Sequence, residues 1–152
     1  MTAIIAALPL LGAARAYLRP MLDMLSLYAL ALLLGGMVMF SFVFSPLVFI
    51  KLPIETAGPF IRGVFPAYFA VVAGLFAVAA LATFNWVAAL MCALGLLNLF
   101  GLMPAINRLR DRQLAGDEGA KAWFDRLHRS SVVINFIQMA AAAYLIWPFA
   151  AG

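Results

Sequence analysis

The stretch NRLRDRQLAGDEGAKAWFDRLHRSSVVIN, residues 107–135, carries ten of the sixteen charged side chains in the sequence and its single histidine. On either side the chain is almost free of charge, with an uncharged run over residues 63–107 before it and another from residue 130 to the end after it. A charged island between two apolar runs long enough to cross a bilayer reads as a helical hairpin standing out of a membrane. Composition agrees. The chain of 152 residues is 67% hydrophobic and 11% charged, with a mean hydropathy of +1.08, far from the balance of a water-soluble domain. Its net charge of +4 is dispersed over a greasy chain, which suits topology signals and anionic headgroups and excludes the contiguous basic face that nucleic acid requires. Cys92 is the only cysteine and can form no intrachain disulfide, and no His/Cys cluster has metal-ligand spacing.

Working outward, the residues predict an all-α, four-transmembrane-helix bundle with a protruding cytoplasmic helical hairpin between helices 3 and 4. Residues 1–20 contain an apolar stretch too short to cross, broken by Pro9 and Gly12. Ala14-x-Ala16 resembles a signal-peptide cleavage site, but the basic region that should precede the apolar run is absent, so 1–20 is read as an N-terminal interfacial segment. A single membrane domain over 21–152 then has spans at about 24–50, 60–83, 86–107 and 128–148. Pro46 kinks or ends the first; Pro59 suits the first turn of the second; Thr83-Phe84-Asn85-Trp86 divides an uncharged run too long for one crossing, with Trp86 at headgroup level. Pro104 bends the third span, Gly116 caps its extension, and Asp117 begins the last helix. Small residues at Ala31/Gly35, Ala70/Gly74 and Ala73/Ala77 offer close helix approach, and Ser41/Ser45 repeat that spacing with hydroxyls. In the hairpin, Lys121–Asp125 and Asp125–Arg129 are spaced as ion pairs, and Ala120, Trp123, Phe124 and Leu127 form an apolar stripe.

The connections after spans one and three hold eight of the ten basic residues, Arg129 at the edge of the fourth span included, which puts 51–62 and 108–127 in the cytoplasm and both termini in the periplasm of a bacterial inner membrane. The bilayer is the predicted partner, with self-association or a larger membrane complex as further classes and no nucleic acid.

At about 100° per residue, His128, Ser131 and Asn135 share one narrow face of the fourth helix, with Phe124 a turn earlier and Gln138 at its edge, opposite Val133, Ile137 and Ala140. The aliphatic side faces lipid, so the polar side looks into the bundle. Two readings stand beside each other. In the more common one these groups, with Asn98 in span three, are interhelical glue worth roughly one kcal/mol each. In the other they line a ligand, proton or cofactor site, His128 serving as an axial ligand to a haem b iron with Arg126, Ser131 and Asn135 supporting it. Met37 and Met39 point apart by about 200° on a helix and cannot chelate one ion. Arg62 at the start of span two reads first as a headgroup-snorkelling side chain, and second as the partner of an acidic group or a lipid phosphate. No nucleophile elbow, phosphate-binding glycine loop or paired-carboxylate site occurs, so the residues leave enzymatic activity open.

GGMVMFSFVFSPLVFIKLPIETAGPFIRGVFPAYF, followed by Asn98, Pro104 and FDRLHRSSVVIN, resembles the family of small four-span proteins typified by transmembrane protein 205, over roughly residues 24–146. The marks are Gly35 or Gly36, Leu52-Pro53, Phe65-Pro66-x-Tyr68-Phe69, and Phe124-x-Arg126-x-His128-xx-Ser131-xxx-Asn135. That resemblance implies a four-span membrane protein of an uncharacterised family whose eukaryotic member is associated with platinum-drug resistance. This chain has a compact hairpin where the animal protein has a longer insertion. A more distant similarity in architecture is to four-span haem-dependent protoporphyrinogen oxidases and copper-resistance proteins, which use more than the one histidine available here. The expectation is a small-solute or metal handling component or accessory subunit, with a haem-binding or quinone-linked oxidoreductase using His128 as the alternative.

Overall fold

The computed structural model describes residues 2–151, with side chains from Ala16 onward. Four helical rods are long and apolar enough to cross a membrane. The first comprises α1 (Thr2–Val38), a widened π-helical turn at Met39–Phe44, and α2 (Ser45–Lys51); the second is α3 (Ile54–Thr83). The third comprises α4 (Trp86–Leu97), a second π-helical turn at Asn98–Leu102, and α5 (Met103–Leu114), and the fourth is α6 (Glu118–Ala150). The chain is therefore an all-helical, multi-pass membrane protein.

Each turn between rods follows from local chemistry. Leu52-Pro53 is extended, and the Pro53 carbonyl accepts from the amides of Thr56 and Ala57, so α3 begins at Ile54. Pro59 lies inside α3, six residues into the helix and not in its first turn as the sequence predicted. Phe84 takes a left-handed φ of 52°, and the Asn85 side chain accepts from the amides of Val87 and Ala88 to start α4. Gly116, at φ 92°, ends the third rod in the left-handed region that glycine enters without penalty, and Asp117 accepts from the Ala120 amide to begin α6. Nε and Nη2 of Arg112 donate to the other oxygen of Asp117, at 3.0 and 2.6 Å, and these bonds hold the Asp117 carboxyl below its ordinary value of 3.8.

The two π-helical turns share a cause. In the first rod the Ser45 amide reaches back five residues to the Phe40 carbonyl, and Pro46 follows; in the third the Met103 amide reaches back to Asn98, and Pro104 follows. Proline brings no N–H and its ring collides with the carbonyl four residues earlier, so a wider turn just before it relieves the clash while the rod continues. Pro46 and Pro104 thus reshape their rods without ending them.

The first rod packs on the second and fourth, and the third packs on the second and fourth, giving a ring in chain order. Leu30, Leu33, Met37, Val72, Phe76, Met91 and Ala142 form the shared core, while Leu32, Val71, Leu81 and Ile137 face outward. With apolar surroundings outside as well as inside, close packing and polar contacts between rods must hold the ring together. The tightest approach is Gly95 against Ala73, where an added Cβ would lie 3.1 Å from the Ala73 Cβ. Ala73 is buried as predicted, but Ala31, Gly35, Ala70 and Gly74 are exposed, so those small-residue faces mark no approach within the chain. Met37 is buried and Met39 exposed, pointing apart as expected.

In the hairpin, Ala120 is buried and Phe124 and Leu127 are half-buried, whereas Trp123 turns outward beneath the Arg126 guanidinium. The expected Lys121–Asp125 and Asp125–Arg129 pairs do not form. Among the described residues the ion pairs are Arg62–Asp111 and Arg112–Asp117, because exposed long side chains gain little from pairing in water. Residues 1–20 open α1 and its helix runs on without a break; the side chains before Ala16, and Met1 itself, lie outside the described residues.

Candidate functional site

A cavity of about 510 Å³ opens among the four rods at the base of the hairpin, the third rod contributing Met103, Ile106, Asn107 and Arg110 from α5. Its deep end is built on Asn135. The Asn135 side chain accepts from the Tyr68 hydroxyl at 2.6 Å, and donates to the Ser41 hydroxyl at 3.1 Å and more weakly to the Met139 sulfur at 3.8 Å. Three rods are tied by one amide, two of them across the diagonal of the ring, because α3 and α6 share no backbone contact among the described residues. Ser131, buried a turn earlier on α6, lines the same cavity.

One wall is aromatic. Phe40 and Tyr68 stack at 4.0 Å between centroids, Phe40 meets Phe44 at 5.3 Å and Phe65 at 5.6 Å, and Phe65 stacks on Phe69 at 5.8 Å. The first rod contributes Phe40, Ser41 and Ser45 from within or beside its widened turn. π-Helical turns of this kind recur at functional sites because they redirect side chains that an unbroken helix would carry elsewhere.

The mouth is cationic. Arg62 on α3 donates through Nε to the Asn107 side chain at 3.0 Å, and through Nη2 to the Asn107 carbonyl at 3.2 Å and the Asp111 carboxylate at 2.8 Å. It is therefore anchored to α5, and the snorkelling first expected gives way to the acidic partner read second. Arg110, one turn beyond Asn107, donates to Gln113 at 2.8 Å and lies 5.7 Å from the centre of the Phe124 ring. That ring in turn lies parallel to the His128 imidazole at 5.8 Å. His128 is exposed at the rim.

The structure thus brings His128, Ser131 and Asn135 to one cavity and leaves two other candidates out. Arg126 is exposed, its guanidinium 5.4 Å from the Trp123 ring, because its position on α6 points away from the bundle. Asn98 is fully buried at the start of the second widened turn, outside the cavity, with no partner for either amide atom among the described residues. Gln138, also fully buried, donates to the Met91 carbonyl at 2.8 Å. Tyr68, Phe40 and Arg110 were not singled out as site residues from the sequence, although Tyr68 lies in its Phe65-Pro66-x-Tyr68-Phe69 block and Ser41 in a hydroxyl pair one turn apart. A smaller cavity of about 250 Å³ lies at the other end of the bundle, among Asp23, Ser26, Thr83, Asn85 and Tyr144. Among the described residues no three His, Cys, Asp or Glu side chains come together as metal ligands would.

Compared with known proteins, the chain matches no curated protein and no solved structure. A family model does match, over residues 28–115, which takes in the first rod from Tyr28 and the second and third rods, with Ser41, Arg62, Tyr68 and Arg110, and stops short of α6. With more than half its length so matched, this four-rod membrane protein belongs to the family described as a domain of unknown function, DUF4149.

Proposed function

We propose that the protein is a small-solute handling component of the bacterial inner membrane, binding an amphiphilic molecule in the cavity among its four rods at the base of the hairpin. The observation that carries this reading is the composition of that cavity, in which stacked rings form one wall and the Ser41–Asn135–Tyr68 network closes the deep end. Apolar concavities of this size with a few convergent polar groups are the usual form of small-molecule sites. The resemblance to the transmembrane-protein-205-like family supports the same class of role. The basic residues of 51–62 and 108–127 favour an orientation with the cavity mouth toward the cytoplasm and the termini in the periplasm.

The donor set favours an organic solute over a metal, since the cavity offers one imidazole, hydroxyls and amides and no thiolate or carboxylate among its described lining residues. Haem ligation by His128 loses the support expected from Arg126, which lies outside the cavity. Native mass spectrometry of the purified protein tests the proposal. Wild type is expected to carry a small molecule that is lost in Ser45→Trp, whose indole fills the cavity from a lining position. Equal retention by wild type and variant would reject the cavity as the binding site. A Soret band abolished in His128→Ala would instead establish the haem reading.

A further inference from the structure

We infer that the occupant of this cavity carries an anionic head, a carboxylate or phosphate, received at the mouth by Arg110 and Arg62. The inference rests on the amphiphile reading above and adds the chemistry of one end of the ligand. The described lining includes two guanidiniums and one imidazole and no carboxylate. Arg110 forms no ion pair among the described residues; its partners are the neutral Gln113 amide and the face of Phe124. A ring face attracts a cation without neutralising it, so the charge of Arg110 is held in place and left for a ligand. Arg62 is shared with Asp111, but that carboxylate is 63% exposed, and the guanidinium uses Nε and Nη2 while Nη1 makes no hydrogen bond among the described residues. The bonds to Asn107 fix the plane of the fork, which is the arrangement that favours planar or tetrahedral oxyanions.

Position agrees with charge. The cations lie at one end of the cavity and the stacked rings line the rest, so a ligand whose head meets Arg110 lays its apolar body against Phe40 and Phe65. Cations at the edge of an apolar bundle meet the layer of a membrane where lipid phosphates and fatty-acid carboxylates lie. Two sources share that chemistry, a phospholipid of the surrounding leaflet and a free anionic amphiphile.

The test uses the full-length protein in phosphatidylcholine nanodiscs, with cis-parinaric acid and its uncharged methyl ester as fluorescent probes. Wild type is expected to hold the acid about tenfold more tightly than the ester, the discrimination that one charge-assisted contact supplies. Arg110→Gln is expected to bring the two to parity by weakening the acid alone. Its polar and cation–ring partners among the described residues, Gln113 and Phe124, are both on the hairpin, so the variant separates recognition from folding, which Arg62→Gln does not because it also breaks the tie between α3 and α5. Equal binding of acid and ester by wild type would overturn the anionic head and leave the amphiphile site standing, whereas failure of both probes to bind would overturn the site itself. Displacement of the acid when phosphatidylglycerol replaces part of the phosphatidylcholine upholds the inference with a leaflet lipid as the source. Persistence of acid binding there upholds it with a free amphiphile.

Discussion

Asn135 and Asn98 are both amides within apolar helices, yet they have opposite surroundings. Asn135 joins Ser41 and Tyr68, so Asn135→Leu strands two hydroxyls inside the bundle; it is expected to lower stability by about 1–3 kcal/mol. Asn98 is fully buried with neither amide atom bonded among the described residues, so Asn98→Leu relieves a desolvation cost and is expected to raise stability by about 1 kcal/mol. Thermal unfolding in detergent measures both, and a shift of the same sign in the two variants would refute the contrast. The sequence marked both residues as interior and polar but not which of them has partners. Helical spacing places a side chain on a face, whereas Asn135 meets Tyr68 across the ring diagonal, and that depends on how far each rod slides along its neighbours. Arg126 shows the same limit from the other side, since it shares a short motif with His128 and points away from it.

Among the elements, the turns were the most legible, because their causes are local. Gly116 and Asp117, and the Thr83–Trp86 break, act through neighbouring backbone groups. The widened turns before Pro46 and Pro104 were read only as bends, since proline forbids the ordinary bond without specifying which relaxed geometry replaces it. The small-residue faces misled, because Ala31/Gly35 and Ala73/Ala77 have the same pattern and only one side of each rod meets another. Gly95, with Met91 and Leu99 and no small residue four positions away, makes the tightest approach. Gly95→Val is therefore expected to cost about 1–3 kcal/mol, while Gly35→Val, with nothing within 4 Å of its added Cβ, leaves the melting midpoint nearly unchanged. Equal shifts in the two variants would contradict this assignment of the interface. The hairpin tip gives a prediction in pH. The Arg112 bonds depress the Asp117 carboxyl, so their contribution is complete above its ordinary value of 3.8 and fades as pH falls below it. The Ala120 amide resonance should hold its position down to that value and move only below it; a midpoint above 3.8 would be inconsistent with the bond.

For the whole molecule, hydropathy alone was enough to establish four crossings, because nothing but a bilayer accommodates runs of this length and greasiness. The order of the rods around the ring was not legible, since all four are similarly apolar and their neighbours are chosen by shape. Orientation is open to direct measurement. In a Cys92→Ala background, an impermeant maleimide applied to intact spheroplasts is expected to label Phe84→Cys and to reach Ala115→Cys only after lysis. Labelling of Ala115→Cys from outside would invert the topology.

The widened turn at Met39–Phe44 has a genetic consequence. A π-helical turn accommodates one residue more than the regular helix and absorbs the roughly 100° that residue would add, so deleting a single codon there, Phe42 for instance, lets the rod wind at ordinary pitch with its two halves still in register. Leu30, Leu33 and Met37 would then keep to the core face, with the cost confined to Pro46, whose ring again meets the carbonyl four residues earlier, whereas the same loss of three nucleotides in the uninterrupted α3 would turn one half of that rod about 100° against the other.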